Sequence, residues 1–78
     1  MDLDPERVEQ AVLALLGAFE FERGRAWKGY DFNVMKRLFE KGYITDPFGK
    51  ARSVYLTESG LPLAHELAQQ LFGQRRVS

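Results

Sequence analysis

The chain has no cysteine, only one histidine, and no net charge across its 78 residues. Without cysteine it can form neither a disulfide bond nor a thiolate metal site. Its single histidine, His65, has no converging carboxylates at metal-ligand spacing, and no glycine-rich phosphate loop is present. We therefore expect no enzymatic activity, no metal, no cofactor and no small-molecule substrate.

Long apolar runs are also missing. No segment approaches the roughly 20 apolar residues that cross a bilayer, and the acidic N-terminus is unlike a signal peptide. We therefore expect a soluble, cytoplasmic protein with no membrane partner.

Apolar residues make up 45% of the chain and include ten aromatic side chains, which is enough for one hydrophobic core. A chain of this length has room for a single domain, which buries about 60% of its unfolded surface. We predict one domain over residues 1–73, followed by a flexible polar tail over residues 74–78.

Charge is unevenly distributed along the chain. Residues 1–22 carry six acidic side chains against Arg7 alone, whereas residues 23–52 carry eight basic side chains against three acidic ones. Such asymmetry indicates either an anionic partner for the basic part or neutralisation of one segment by the other within the fold.

The first helix is predicted over residues 5–22. Asp4 is a suitable N-cap, and Pro5 fits the first helical position, where no backbone N–H is needed. Gly24 is the expected stop. Apolar residues recur at helical spacing and form one inward stripe, with Leu13 beside it: Val8, Ala11, Val12, Leu15, Leu16 and Phe19.

Between this helix and the next, residues 25–30 have room for at most one helical turn, around residues 26–28. Trp27 in this run is expected to anchor the core, with a partner for its indole N–H.

The second helix is predicted over residues 31–41, with Asp31 as N-cap and Gly42 as a left-handed C-terminal cap. Its inward stripe is predicted to contain Val34, Met35, Leu38 and Phe39. The outward side chains are expected to be Asn33, Lys36, Arg37, Glu40 and Lys41.

A hairpin should follow, because Tyr43 and Ile44 begin one strand and residues 53–57 alternate as its antiparallel partner. The connecting loop has turn residues and two cations, Lys50 and Arg52. The third helix is predicted to begin at Ser59 and to end at Gly73, with Pro62 in its first turn. One face is expected to contain Leu61, Ala64, Ala68, Leu71 and Phe72, with Leu63 and Leu67 alongside.

The order helix, glycine, strand, basic loop, strand, helix over residues 31–72, with KGYI and VYLTESG at its junctions, resembles the second half of winged-helix transcription regulators. The resemblance implies a mostly α, α+β fold of three helices and a two-stranded antiparallel wing. The helix that precedes the recognition helix in DNA-binding members is reduced or missing here, which leaves the docking geometry of that family incomplete.

Over nearly its full length the chain also resembles a small family of uncharacterised bacterial proteins. The similarity lies in the run RAWKGY, in KGYI with the following Asp46 and Pro47, and in the positions SV, LTE and Gly60 of SVYLTESG. It implies a compact domain and no particular chemistry.

Nucleic-acid binding of a regulatory or accessory kind is the leading functional hypothesis. The second helix and the loop present cations that can neutralise phosphates and an amide that can pair with adenine. The predicted contacts are Asn33, Lys36, Arg37, Lys41, Lys50 and Arg52. The alternative is that these are ordinary solvated charges, with Glu40 pairing with Lys36.

A protein-interaction or homodimerisation module is the second hypothesis. The chain has more aromatic residues than so small a core requires, and exposed aromatics near arginine are typical of interface hot spots. Phe48 in the loop and Tyr55 on the second strand are the predicted contacts. In the alternative interpretation, Phe48 folds back over the core.

Overall fold

The computed structural model describes residues 1–74, which form three helices and one two-stranded antiparallel sheet. In chain order these are α1 (Pro5–Ala18), β1 (Arg25–Trp27), α2 (Phe32–Glu40), β2 (Ser53–Tyr55) and α3 (Gly60–Phe72). This mostly α, α+β composition confirms the predicted fold class and is compatible with a winged-helix-like arrangement. Only residues 28–31 separate β1 from α2, and they contain no helix. Residues 75–78 of the predicted tail lie outside the described residues.

Helix α1 begins as predicted, with the Asp4 carboxylate accepting the Glu6 N–H at 3.0 Å. It ends at Ala18, so the predicted end at residue 22 is wrong. Glu22, Arg23 and Gly24 all have positive φ, and this turn is closed by backbone hydrogen bonds between Phe21 and Arg25 of 2.7 and 2.9 Å. Left-handed backbone at three successive residues is incompatible with a continuing α-helix.

The predicted apolar stripe of α1 is partly wrong. Leu13 and Leu16 lie in the core, but Phe19, which follows the last helical turn, is exposed. Val8 and Val12 of the predicted stripe pack against the core while partly buried. The buried positions of α1 also include a carboxylate that was not predicted: they are Glu9, Leu13, Ala14, Leu16 and Gly17. Gly17 packs so closely against Ala64 of α3 that a Cβ would crowd the α3 backbone, which fixes the crossing of these two helices.

Strand β2 pairs along its length with β1. The predicted pairing with the segment after α2 is only partly confirmed, because it is reduced to the backbone hydrogen bonds that Thr45 donates to Tyr55 and Thr57 donates to Tyr43. The register is Arg25 opposite Tyr55, Ala26 opposite Val54 and Trp27 opposite Ser53. The predicted partner segment retains one isolated bridge, between Ile44 and Leu56. Strand β1 was not predicted, because a three-residue strand is too short to show a clear alternating pattern.

The alternation of side chains along β1 also overturns the prediction for Trp27. Successive side chains of a strand point to opposite faces. Ala26 and Val54 point inward and are buried, so Trp27 and Tyr55 lie on the outer face, where both are exposed. Trp27 is therefore a surface residue and not a core anchor.

Helix α2 agrees with the prediction to within one residue at each end. The Asp31 carboxylate accepts the Val34 N–H at 3.1 Å, and Gly42 has the expected left-handed conformation, with φ of +81°. Val34, Met35 and Leu38 are buried as predicted. Phe39 is exposed, so its predicted place on the inward stripe is wrong.

Helix α3 begins after Ser59 as predicted, but the side chain that caps it belongs to Thr57. The Thr57 hydroxyl accepts the Gly60 N–H at 3.1 Å and donates to the Gly42 carbonyl. Gly60 is required here because a Cβ would overlap the Tyr43 carbonyl. At the other end of the helix Leu71 and Phe72 are exposed, which corrects their predicted inward position.

The core is a single cluster at the junction of the three helices and the sheet. Its buried members are Leu13, Leu16, Ala26, Val34, Met35, Leu38, Ile44, Val54, Leu56 and Ala64. Within residues 1–74, no helix combines the length and hydropathy needed to cross a membrane.

Candidate interaction surface

Three phenylalanines from α2 and the following loop form an exposed aromatic cluster: Phe32, Phe39 and Phe48. The ring centres of Phe32 and Phe48 are 4.9 Å apart, and those of Phe39 and Phe48 are 6.3 Å apart with nearly perpendicular planes. These are the distances of favourable aromatic pairs. Their exposed fractions are 64%, 38% and 45%, so the cluster presents much of its apolar area to solvent.

The loop that carries Phe48 is held in place by polar contacts. The Lys28 ammonium donates to the carbonyls of Pro47 at 2.7 Å and Gly49 at 2.6 Å. The Asp46 carboxylate accepts the Phe48 N–H at 2.8 Å, and Pro47 is buried. These contacts fix the backbone on both sides of Phe48, so its ring is presented by a supported loop.

A groove of about 480 Å³ runs beside the aromatic cluster, between the loop and α2. Phe32 and Phe48 form one part of its wall, and the groove extends over Tyr30 and Met35. Its size falls within the roughly 300–1,000 Å³ that proteins use to hold small molecules or anchoring side chains. The complete lining is Lys28, Tyr30, Phe32, Met35, Pro47, Phe48 and Gly49.

The six residues predicted to contact nucleic acid divide into two groups. Asn33, Lys36, Lys50 and Arg52 are exposed on α2 and the loop. Arg37 and Lys41 instead lie along the side of α2 that faces α1, where both contact Glu9. The prediction that Arg37 faces solvent freely is therefore wrong, because its side chain is partly buried in an ion pair.

Glu9 is the residue of this region that sequence analysis missed. Its side chain is buried, and its carboxylate lies 3.1 Å from the Arg37 Nε and 2.7 Å from the Lys41 Nζ. Hydrogen bonding to this carboxylate raises the pKa of Lys41 above its ordinary value. The signal was present in the sequence, because Glu9 precedes Leu13 by four positions and so shares its helical face.

The two residues predicted to bind a partner lie on different surfaces. Phe48 belongs to the aromatic cluster, whereas Tyr55 lies on β2, on the outer face of the sheet opposite Arg25. Both interpretations of Phe48 hold in part, because its ring packs on neighbouring rings and still remains substantially exposed. The sequence contains a signal for the other two members of the cluster, because Phe32 and Phe39 are seven positions apart and so share one face of a helix.

His65 lies on α3 and pairs with Glu20, which follows α1. Within residues 1–74, no group of three or more histidine, aspartate or glutamate side chains is placed to hold a metal ion.

Comparison with known proteins places the chain in a sequence family. The sequence profile described as "Domain of unknown function (DUF6429)" matches residues 4–74. An uncharacterised protein, y4hR, from Sinorhizobium fredii (strain NBRC 101917 / NGR234) is 42% identical over 72 residues, which cover 92% of this chain and 97% of the relative. No solved structure matches the chain.

Proposed function

The chain belongs to the DUF6429 family of domains of unknown function, and we propose from its geometry that it is a protein-interaction module. In this proposal the aromatic cluster binds a peptide segment. The proposed segment has apolar anchor residues flanked by acidic residues.

The observation that carries this proposal is the exposure of three mutually contacting phenylalanines on one face. Exposed contiguous apolar surface on a small domain commonly marks a protein-binding site. A neighbouring groove can receive an anchor side chain, and filled pockets of this kind supply most of the energy of protein interfaces. The supported loop reduces the entropy lost on binding, because Phe48 is already held in place.

The acidic character of the proposed segment follows from the charges around the aromatic cluster. Lys36 lies on the same helical face as Phe32, and Lys50 and Arg52 follow Phe48 in the loop. All three side chains are exposed and outnumber the one exposed carboxylate beside Phe39, Glu40. The Asp31 and Asp46 carboxylates already accept backbone hydrogen bonds. Complementary charge at an interface rim raises association rates and excludes partners of the wrong sign.

Nucleic-acid binding is a second candidate, supported by the exposure of Asn33, Lys36, Lys50 and Arg52. It ranks lower for two physical reasons. Arg37 and Lys41 are paired with Glu9, which reduces the cations available for phosphate. The remaining surface of α2 presents two phenylalanines and Glu40, whereas nucleic-acid interfaces are polar and strongly basic.

Selection from a random peptide library displayed on phage tests the leading proposal. The full chain serves as bait, and the Phe48→Ser variant serves for counter-selection. We expect enriched peptides that combine aromatic or aliphatic residues with aspartate or glutamate. Synthetic copies should bind the wild-type chain and lose roughly tenfold or more in affinity against Phe32→Ala or Phe48→Ala.

Leu71→Ser is the matched control, because Leu71 is an exposed apolar residue on a different helix. It should leave peptide affinity unchanged. Enrichment of no peptide, or binding that survives both phenylalanine variants, would overturn the proposal.

Titration with a short mixed-sequence DNA duplex separates the two candidates. Amide chemical-shift changes confined to α2 and residues 48–53, reversed by added salt, would favour nucleic-acid binding. If the proposed function holds, the duplex leaves these amides unchanged, and the selected peptide shifts the same region.

A further inference from the structure

We propose that a second copy of this chain docks on the outer face of the sheet, forming a symmetric dimer. The contact is the sheet-face patch, defined as Phe19, Phe21, Trp27 and Tyr55. This proposal does not depend on the aromatic cluster or on its peptide ligand.

The members of the sheet-face patch are linked in three ways: Phe21 and Trp27 are in ring contact, Tyr55 is connected through Arg25, and Phe19 lines a groove together with Trp27. The ring centres of Phe21 and Trp27 are 4.9 Å apart, and the Arg25 guanidinium lies 5.6 Å from the centre of the Phe21 ring. Arg25 in turn lies directly opposite Tyr55 in the sheet. Phe19, Trp27 and Tyr55 are 66%, 58% and 50% exposed.

The charge at the centre of the patch is neutralised within the chain, which favours an identical partner. The Arg25 guanidinium donates to the Glu22 carboxylate at 2.8 Å and to the Ser53 hydroxyl at 2.7 Å. Arg25 therefore brings no unpaired charge to the centre of the contact. Around the aromatic cluster, by contrast, exposed Lys36, Lys50 and Arg52 would repel their counterparts in a second copy.

The patch has both a ridge and a groove, as a self-complementary surface requires. The exposed Trp27 ring, which contacts the Phe21 ring at a tilt of 37°, forms the ridge. Beside Trp27, where β1 meets the end of α1, a groove of about 260 Å³ lies between Phe19, Trp27 and Tyr30, with the buried Leu16 and Ala26 also in its lining. This is smaller than a typical small-molecule site of roughly 300–1,000 Å³, and it suits one aromatic side chain from the partner copy.

The exposed aromatic area covers about half of an ordinary dimer interface, so the polar residues around it must supply the rest. Aromatic residues present about 150–250 Å² each when fully exposed, so the four members contribute roughly 400 Å² per copy. A stable interface buries about 800 Å² per partner, with an aromatic centre surrounded by a polar rim. The patch supplies that centre, and two-fold pairing through one patch is the commonest symmetry of protein dimers.

Sedimentation velocity of the full chain over a range of protein concentrations tests the proposal. We expect a concentration-dependent monomer–dimer equilibrium in the wild-type chain. Trp27→Ser should weaken dimerisation roughly 30-fold or more, as expected for loss of a central tryptophan anchor. Tyr55→Ser should weaken it as well. Circular dichroism of the variants checks that each remains folded.

Two controls make the result specific to this surface. Leu71→Ser and Phe48→Ser each remove an exposed apolar residue outside the patch and should leave the dimer unchanged. A wild-type chain that is monomeric at every concentration would overturn the proposal. So would a dimer that survives both Trp27→Ser and Tyr55→Ser, or one that is lost only in Phe48→Ser, which would move the contact to the aromatic cluster. Peptide binding is measured separately, so failure of either proposal leaves the other open to its own test.

Discussion

The two faces of α2 contain similar apolar residues and have opposite roles. Val34, Met35 and Leu38 on the inner face are buried in the core, whereas Phe32 and Phe39 on the outer face are exposed and contact Phe48. The difference shows that apolar character alone does not assign a side chain to the core in a domain this small. The two faces differ in whether other parts of the fold pack over their side chains.

The cations of α2 are divided in the same way. Arg37 and Lys41, along the side facing α1, contact the buried Glu9. Lys36, on the outer face beside Phe32, is exposed. One part of the basic stretch thus joins two helices, and another part remains available for a partner.

The largest expected effect comes from truncating the inner face. Leu38→Ala should lower the free energy of unfolding by about 2–5 kcal/mol, because it removes buried methyl groups and leaves a cavity. Phe32→Ala on the outer face should cost less, because that ring is largely exposed already. Urea unfolding monitored by circular dichroism measures both variants. Equal losses would show that the two faces do not differ as described.

A smaller effect is expected where the inner side of α2 meets α1. Glu9→Gln should destabilise the chain by about 1–2 kcal/mol, because it weakens the charge-assisted hydrogen bond to Arg37. Glu40→Gln is the matched control, since Glu40 is an exposed carboxylate on α2, the helix of Arg37, and its loss should be nearly neutral. A neutral Glu9→Gln would mean that the ion pairs contribute no net stability.

On the outer face, the contact between Phe32 and Phe48 can be measured with a double-mutant cycle. The two rings should show a coupling free energy of about 0.5–1.5 kcal/mol in unfolding experiments on the single and double alanine variants. Strict additivity of the two single variants would contradict the packed cluster.

The smallest effect is a pH dependence from Lys41. Its pKa is raised in the folded chain by Glu9, so the ion pair stabilises the fold fully below the ordinary lysine pKa of 10.5. The stabilisation is lost as the pH rises through the higher folded value. Thermal melting across this alkaline range should therefore show a steeper loss for wild type than for Lys41→Met. Identical profiles would argue against the pair.

Much of the local structure could be predicted from the sequence. The starts of α1 and α2 follow from the capping carboxylates of Asp4 and Asp31, and Gly42 has the predicted left-handed conformation. Helix α3 begins after Ser59 as predicted from the position of Pro62, although Thr57 supplies the cap. The end of α1 was missed because it depends on a three-residue left-handed turn, which two non-glycine residues disfavour intrinsically. Surrounding contacts between Phe21 and Arg25 stabilise that turn.

The candidate surface was only partly predictable, because the exposure of its side chains also depends on contacts between distant parts of the chain. The cations Lys36, Lys50 and Arg52 are exposed as predicted, whereas the sequence left Phe48 open between exposure and packing over the core. Phe39 was assigned to the core because helical periodicity places it next to Leu38 on the apolar side. Whether that edge of the stripe is covered depends on the neighbouring elements, and here the loop contributes only the Phe48 ring.

The sequence by itself determined the class of fold, the number of helices and where each begins, because caps, proline positions and helical periodicity act over a few residues. Only the tertiary structure decided that β2 pairs with β1, that Trp27 faces outward and that Arg37 is held by Glu9. The reason is chain separation. Glu9 and Arg37 lie 28 residues apart, and the contact between them arises only when packing of the whole core brings α1 and α2 together.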